Sequence, residues 1–322
     1  MNQTTHRLAL DDPQALDEAV RVLAAGDLVA VPTETVYGLC GDATNGRAVA
    51  GIFDAKGRPS FNPLICHVAS LAMAQRLAVF SPEALILAER FWPGPLTLVL
   101  PVRAGAGLHP LVVAGLPTVA LRMPRGPLPE IAGRMDRPIA APSANRSGRV
   151  SPTTAEHVLR TLDGRIALVL DGGPTAHGLE STIVGFDADG PVLLRPGPVV
   201  AADLSEVLGR AVGERKEGSA LSAPGQLSSH YAPHGTVRLD AERPLSGECW
   251  IGFGPDPAEI TDAAAATNLS PRGDLREAAA HLFAALSRFD GPDFPRIAVA
   301  PIPREGLGVA INDRLKRAAA AR

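Results

Sequence analysis

Apolar and polar positions along the chain fall into blocks of two kinds. Short aliphatic and β-branched runs at residues 27–32, 63–68, 96–102, 118–124, 138–143, 166–173, 181–186 and 191–197 have the length and bounding turn residues of strands. Between them the spacing turns helical. Residues 46–55 read as a helix, and 81–92 opens with Ser81 as a cap, Pro82 at the first helical position and Glu83 beside the positive end of the helix dipole. At 153–162, Thr153 and Glu156 have the spacing of a capping box. This alternation predicts a mixed α/β domain over residues 1–212.

The pattern then lapses. Residues 213–236 are polar, small and aperiodic, which marks a linker or a functional loop. Strand and helix patterns resume at 247–254, 275–289, 296–303 and 308–320, so residues 237–322 form a second, smaller α/β domain. No internal repeat is visible.

Composition narrows the function classes. With 322 residues, 46% of them hydrophobic, the chain can bury a sizeable core, and a net charge of −3 argues against a protein that is a polyanion-binding surface throughout. The cysteines Cys40, Cys66 and Cys249 are widely spaced and form no CxxC pair, which argues against a disulfide framework or a zinc cluster. No apolar run approaches the roughly 18 residues that span a bilayer, and the N-terminal stretch has no apolar targeting core. A soluble protein of the reducing cytoplasm, without membrane contact, is expected. The only tyrosines are Tyr37 and Tyr231 and the only tryptophans Trp92 and Trp250, so no aromatic platform for stacking bases is present and direct RNA readout is disfavoured.

Charge by region points to a local anion site. From Lys56 to Arg149 there are eleven basic residues against four acidic ones, an excess of seven within an acidic protein, which predicts an anion-attracting face. Lys56 and Arg58 follow the helical pattern at 46–55, with Gly57 between them allowing close backbone approach, while Arg122 and Arg195 end strands. Cations at the mouth of an α/β sheet suit phosphates or a carboxylate. Ser143, Asn145, Ser147 and Ser151 share one proline-bounded loop, and Ser181 and Thr182 stand at a strand start. Each alone reads as a turn or cap residue; together with the cations they suit a polyphosphate. His67, inside an apolar run, reads alone as a hydrogen-bonded core residue. GxxxxGK[ST], a complete GxGxxG, HExxH and GxSxG are all absent.

The ordered stretches PTETVYGL (32–39), KGRPSFNPL (56–64), PSANRSGRVSPT (142–153), ESTIV (180–184) and LLRPG (193–197) resemble the YrdC-like threonylcarbamoyl-AMP synthases. APGQLSSHYAP (223–233) and GLGVAINDRLKRAA (306–319) resemble the long, two-domain form of that family, whose short forms lack the second domain. The resemblance implies a large twisted mixed sheet with flanking helices, followed by a smaller Rossmann-like α/β domain. It implies a nucleotidyltransferase that converts L-threonine, bicarbonate and ATP, with Mg2+ carried by the ATP phosphates, into threonylcarbamoyl-AMP and pyrophosphate. Partner proteins would pass the product to tRNA next to the anticodon, so this chain need bind tRNA weakly or not at all.

Carried over by motif, Lys56 and Arg58 are the candidate catalytic residues, meeting the ATP phosphates with Asn62. Thr118, Ser143, Asn145, Ser151, Arg195 and Tyr231 complete the ATP side, Tyr231 lying on the linker that serves as a lid in the family. Thr35, His67, Arg122, Ala141 through its backbone, and Ser181 form the threonine side, with Arg122 facing the carboxylate. No protein metal ligand is assigned. After LRMP the family often has a histidine two residues on; here Arg125 and Gly126 follow, and Arg125 receives no role. Two other readings stay open: a non-enzymatic RNA-binding or ribosome-associated module, and an enzyme handling carbamoyl-adenylate in hydrogenase maturation, although the additional segments of such enzymes are missing.

Overall fold

The computed structural model describes residues 4–215 and 230–320. Residues 216–229, most of the expected linker, lie outside the described residues. The first body is built on eleven strands: β1 (His6–Ala9), β2 (Val29–Val31), β3 (Gly38–Asp42), β4 (Ile65–His67), β5 (Leu96–Pro101), β6 (Thr118–Arg122), β7 (Ile139–Ala140), β8 (Leu168–Asp171), β9 (Thr182–Asp187), β10 (Gly190–Arg195) and β11 (Gly213–Glu214). They form one sheet in the order β1-β8-β2-β3-β7-β4-β6-β5-β9-β10-β11, with parallel and antiparallel pairs mixed. β11 pairs with β10 and so extends this sheet two residues past the boundary expected at 212.

Eight helices accompany the sheet: α1 (Ala15–Ala24), α2 (Gly46–Lys56), α3 (Leu71–Leu77), α4 (Pro82–Phe91), α5 (Pro110–Val113), α6 (Leu128–Met135), α7 (Ala155–Leu162) and α8 (Ala201–Leu208). Their caps follow the sequence closely but not always to the residue. Ser81 accepts from Ala84 N at the start of α4, with Pro82 behind it, as the sequence predicts. In α7 the cap is Thr154, which accepts from His157 N, and not Thr153; the hydroxyl of Thr153 lies instead 3.2 Å from His157 Nδ1. Gly57 ends α2 with a left-handed φ of 59°, so its freedom is used to stop the helix.

One face of the sheet decides where a site can form. At the β2–β3–β7–β8 end, Val29, Val31, Cys40, Ile139 and Leu168 pack beneath α1 and α6. His67 is in register with Ile139 and with Arg122, so β4 and β6 continue that same face. Farther along, its apolar residues are Ile65, Val99, Ala120 and Ile183, a cluster with no helical member. The opposite face is filled by the largest core, which takes in α2, α3, α4 and α8. This face thus carries a cluster of four buried aliphatic side chains with no helical member among the described residues, and Ile65 among them lines a pocket.

The second body is a four-stranded parallel sheet, β12 (Thr236–Arg238), β13 (Cys249–Gly252), β14 (Ala265–Asn268) and β15 (Arg296–Val299), in the order β12-β15-β13-β14. Helices α9 (Leu275–Arg288) and α10 (Leu307–Ala319) pack on it. Its core crosses the seam, because Val36, Val150, Leu179 and Tyr231 join the cluster formed by α9 and α10. At Gly178, with φ at 65°, an added Cβ would lie 2.4 Å from Ala280 O, so α9 is seated directly against the loop that leads into β9. The expected class, a large mixed sheet followed by a smaller Rossmann-like domain, is the one observed.

Candidate active site

Period-2 alternation sets the geometry of this face. Thr118, Ala120 and Arg122 share one side of β6, and Ile65 and His67 share that side of β4. Thr97 is in register with Ile183 and shares a 2.8 Å hydrogen bond with Ser181 across β5 and β9. Polar groups therefore rim the aliphatic cluster: Thr118 where β6 begins, His67 and Arg122 where β4 and β6 end, Ser181 where β9 begins. Ala141 N donates to Ile65 O, which holds the loop after β7 along the same edge.

The pocket on this face is lined by Thr35, Arg58, His67, Arg122, Ala141, Ser143, Ser181, Arg195 and Tyr231 among the residues expected from sequence. Glu180 and His230 line it too and were not foreseen. Its open volume is about 50 Å³, and His230 and Tyr231, at the end of the linker, form part of its wall. A wider groove of about 850 Å³ between β1 and α1 has acidic Asp12, Asp17 and Glu18 in its wall and none of these groups. Size alone would select that groove instead.

Five expected residues stand behind the lining. Lys56 donates to Ser143 O and Asn145 O, 2.6 Å each, and fixes the loop between them. Asn145 uses its own amide on Arg146 O and Arg149 O, so it shapes this loop. Ser151 donates to Glu180 Oε1 at 2.5 Å. Buried Asn62 is tied in through its carbonyl, which accepts from Arg58 Nε. Thr118 lies at the far end of β6 from Arg122; the β4–β6 register, extended back from Ile65 and Ala120, sets it level with Pro63, beside Asn62. Thr182, by contrast, turns from the site and bonds Val199 O.

The cations sort into two classes. Lys56 and Arg195 are fully buried and Arg58 partly so, yet their bonds run to neutral acceptors: Ser143 O and Asn145 O for Lys56, Asn62 O and Pro63 O for Arg58, Ser181 O and its hydroxyl for Arg195. Among the described residues none of the three is in an ion pair. Burial, reinforced by Arg58, pulls the Lys56 ammonium well below its ordinary range; burial lowers Arg58 to about 10 and shifts Arg195 down. Arg122 and Arg314 are also buried but meet carboxylates, Glu34 at 2.7 Å and Glu180 at 2.9 Å. The Arg122–Glu34 contact lacks hydrogen-bond alignment, whereas Arg122 donates well to Thr35 Oγ1 (2.9 Å).

Within the anion-attracting face expected over residues 56–149, four of the eleven cations are paired with carboxylates away from the pocket. Arg76 pairs with Asp136, Arg134 with Asp17 and Glu130, Arg137 with Asp42, and Arg149 with Asp290. Arg125 donates to Pro93 O and is in no ion pair among the described residues. Of the eleven cations, Arg58 and Arg122 line the pocket and Lys56 stands behind it, and Arg195 lines it from outside the segment.

Two histidines here are neutral near physiological pH. Burial, with Arg122 beside it, lowers His67 to about 3, and burial lowers His230 to about 3 as well. Nδ1 of each is buried without a hydrogen-bond partner among the described residues. Since their ordinary value is near 6.5, the unfolded chain binds more protons than the folded one between pH 6.5 and 3, and stability falls as pH falls through that window. Each histidine should steepen the loss toward about 1.4 kcal/mol per pH unit. Denaturant titrations at pH 7, 6 and 5 should show a shallower decline in His67→Gln than in the parent; equal slopes would mean that His67 titrates normally in the folded protein.

The chain is similar to known proteins over nearly its whole length. The Sua5/YciO/YrdC family model, described as telomere recombination, matches residues 21–197, and a model described as threonylcarbamoyl-AMP synthase, C-terminal domain, matches 199–320. A threonylcarbamoyl-AMP synthase of Bacillus subtilis is 41% identical over 335 aligned positions, covering 99% of this chain and 96% of that protein. The crystal structure of Pyrococcus abyssi Sua5 complexed with L-threonine superposes with a TM-score of 0.86 at 34% identity, covering 99% and 98% of the two chains. A variant of that protein with an adjacent His and Tyr replaced by alanine gives a TM-score of 0.89 at 35% identity, covering 98% and 96%.

Proposed function

This chain belongs to the two-domain Sua5 family of threonylcarbamoyl-AMP synthases, and from that premise we propose that it joins L-threonine, bicarbonate and ATP into threonylcarbamoyl-AMP and pyrophosphate, as a nucleotidyltransferase. The observation that carries this reading is the set of three withdrawn cations, Lys56, Arg58 and Arg195, held by carbonyls and hydroxyl with no carboxylate in contact among the described residues. Burying a cation without a counter-ion is costly, and a triphosphate supplies the missing charge.

The chemistry asks little else of the protein. Bicarbonate takes up a proton and loses water to give CO2; threonine's amine adds to CO2 and loses a proton to give a carbamate; a carbamate oxygen attacks the α-phosphorus; the bond to the β-phosphate oxygen breaks and pyrophosphate leaves. No protein nucleophile enters, so orientation and charge neutralisation carry the rate. Arg58 and Lys56 face the phosphates, with Asn62, Thr118, Ser143, Asn145 and Ser151 lining or bracing the nucleotide side. Arg122, Thr35, His67, Ala141 and Ser181 receive threonine, Arg122 turning from its misaligned contact with Glu34 to the amino-acid carboxylate. Neutral His67 offers an imidazole that neither repels Arg122 nor protonates the carbamate. Mg2+ arrives on the ATP phosphates; no group of three or more His, Cys, Asp or Glu suited to a metal occurs among the described residues, and the lining carboxylate, Glu180, is engaged by Ser151 and Arg314.

An ATP site needs several hundred Å³, and about 50 Å³ is open in the pocket that His230 and Tyr231 help to wall. The linker end must therefore lift for ATP to enter and return to exclude water from the carbamate. The reaction tests the whole reading: pyrophosphate release from ATP should require threonine and bicarbonate together, and release independent of either would refute it. In this proposal the product serves tRNA modification in the cytoplasm through partner proteins, and the chain itself holds tRNA weakly or not at all.

A further inference from the structure

Helix α10 of the second domain presents an apolar stripe, with Ile311, Leu315 and Ala318 buried, and in that stripe stands an arginine that is 0% exposed. Arg314 Nε donates to Glu180 Oε2 (2.9 Å), Nη2 to Pro196 O (2.9 Å) and Nη1 to Asp313 Oδ2 (2.7 Å). Its guanidinium also lies 5.6 Å from the centre of the Tyr231 ring. Three of these four contacts are with the pocket or its immediate support: Glu180 and Tyr231 line it, and Pro196 follows Arg195.

Seam adhesion alone does not call for this arrangement. A buried ion pair gives little net stability over a well-packed apolar pair, and α10 already has apolar neighbours on both sides of position 314. Glu180, however, poses a problem specific to a polyphosphate pocket. It is the carboxylate among the described lining residues, and left unpaired it would draw Lys56, Arg58 or Arg195 to itself and repel phosphate oxygens. Arg314 occupies one carboxylate oxygen, and the Ser151 hydroxyl takes the other.

We propose that Arg314, delivered across the seam by the second domain, is a positioning residue of the nucleotide site. By holding Glu180 on Ser151, out of hydrogen-bond and ion-pair contact with the three carbonyl-bound cations, it leaves the donors of those cations free for phosphate. The inference rests on reading this pocket as the ATP site, and it makes the second domain part of that site. The Glu180 carboxylate is held below its usual range, the cations Arg314 and Arg195 outweighing burial, so it is ionised wherever ATP would bind.

The test uses full-length protein, with ATP affinity measured calorimetrically and threonine dependence measured in turnover. Arg314→Met should weaken ATP binding about tenfold or more, with the KM for threonine moving less than about threefold. Adding Glu180→Gln to that variant should restore ATP affinity to within about threefold of the parent, since the unpaired charge is gone. Unchanged ATP binding in Arg314→Met, parallel loss of ATP and threonine, or failure of Glu180→Gln to rescue would each overturn the proposal. Should Arg314→Met not fold, the double variant decides: near-parental ATP affinity supports it and a loss of about tenfold or more overturns it. A parent that binds ATP but makes no threonylcarbamoyl-AMP would remove the synthase reading and leave the ATP comparison to decide the role of Arg314. A parent that binds no ATP would remove both.

Discussion

Lys56→Met should lose roughly 100- to 1000-fold in kcat/KM for ATP while its thermal midpoint stays within a few degrees of the parent. Both halves follow from the same environment. The lysine ammonium is fully buried at the end of α2, where the helix dipole favours a cation, yet it meets two carbonyls and, among the described residues, no carboxylate. Methionine removes two hydrogen bonds from a charged donor, each worth about 1.5–3 kcal/mol net, and at the same time removes the cost of burying a charge. The terms oppose each other in stability. They do not oppose in catalysis, where the lost charge is one that phosphate oxygens would meet and where a compact ammonium approaches clustered oxygens as a point charge. Parental turnover in the variant would remove Lys56 from the site; a large fall in midpoint would make it mainly a structural residue.

Cutting the chain after residue 215 should leave a folded first domain with less than about a hundredth of parental turnover. The eleven-stranded sheet and its two main cores lie within residues 4–215, so folding does not need the rest. The cut removes Tyr231 and His230 from the pocket wall, uncovers Val36, Val150 and Leu179, and strips Glu180 of Arg314. Short family members manage without a second domain, but this chain has built its seam into the pocket. Circular dichroism with a turnover assay checks the expectation: native helix and strand content with parental activity would contradict it.

What the sequence disclosed depended on whether a feature was local. Strands such as β5 and β9 are apolar runs between turns and were readable directly. β3, with the sequence GLCGD, was missed because two glycines and an aspartate break its apolar pattern, although the structure buries all five residues. In the same way the cap of α7 moved by one residue, a choice made by where Thr153 packs.

The site shows the same limit. Motif resemblance located Arg58, His67, Arg122 and Arg195, and the fold brings them to one pocket. Sequence charge alone overcounted, because arginines near in sequence found carboxylates that were remote, Asp42 for Arg137 and Asp17 for Arg134. Glu180 and Arg314 were missed although each carried a signal. Glu180 stands directly before Ser181 in ESTIV, and Arg314 interrupts an apolar helical stripe. Their meaning depends on a contact between residues 134 positions apart. No local pattern contains that pairing.

The most direct measurement of the central claim is to follow the carbon. Incubated with ATP, Mg2+, L-threonine and 13C-labelled bicarbonate, the protein should release one pyrophosphate for each threonylcarbamoyl-AMP formed, and mass spectrometry should find a single 13C in the carbonyl joining threonine to AMP. Pyrophosphate released without threonine or bicarbonate, or an AMP product without the labelled carbon, would contradict the account.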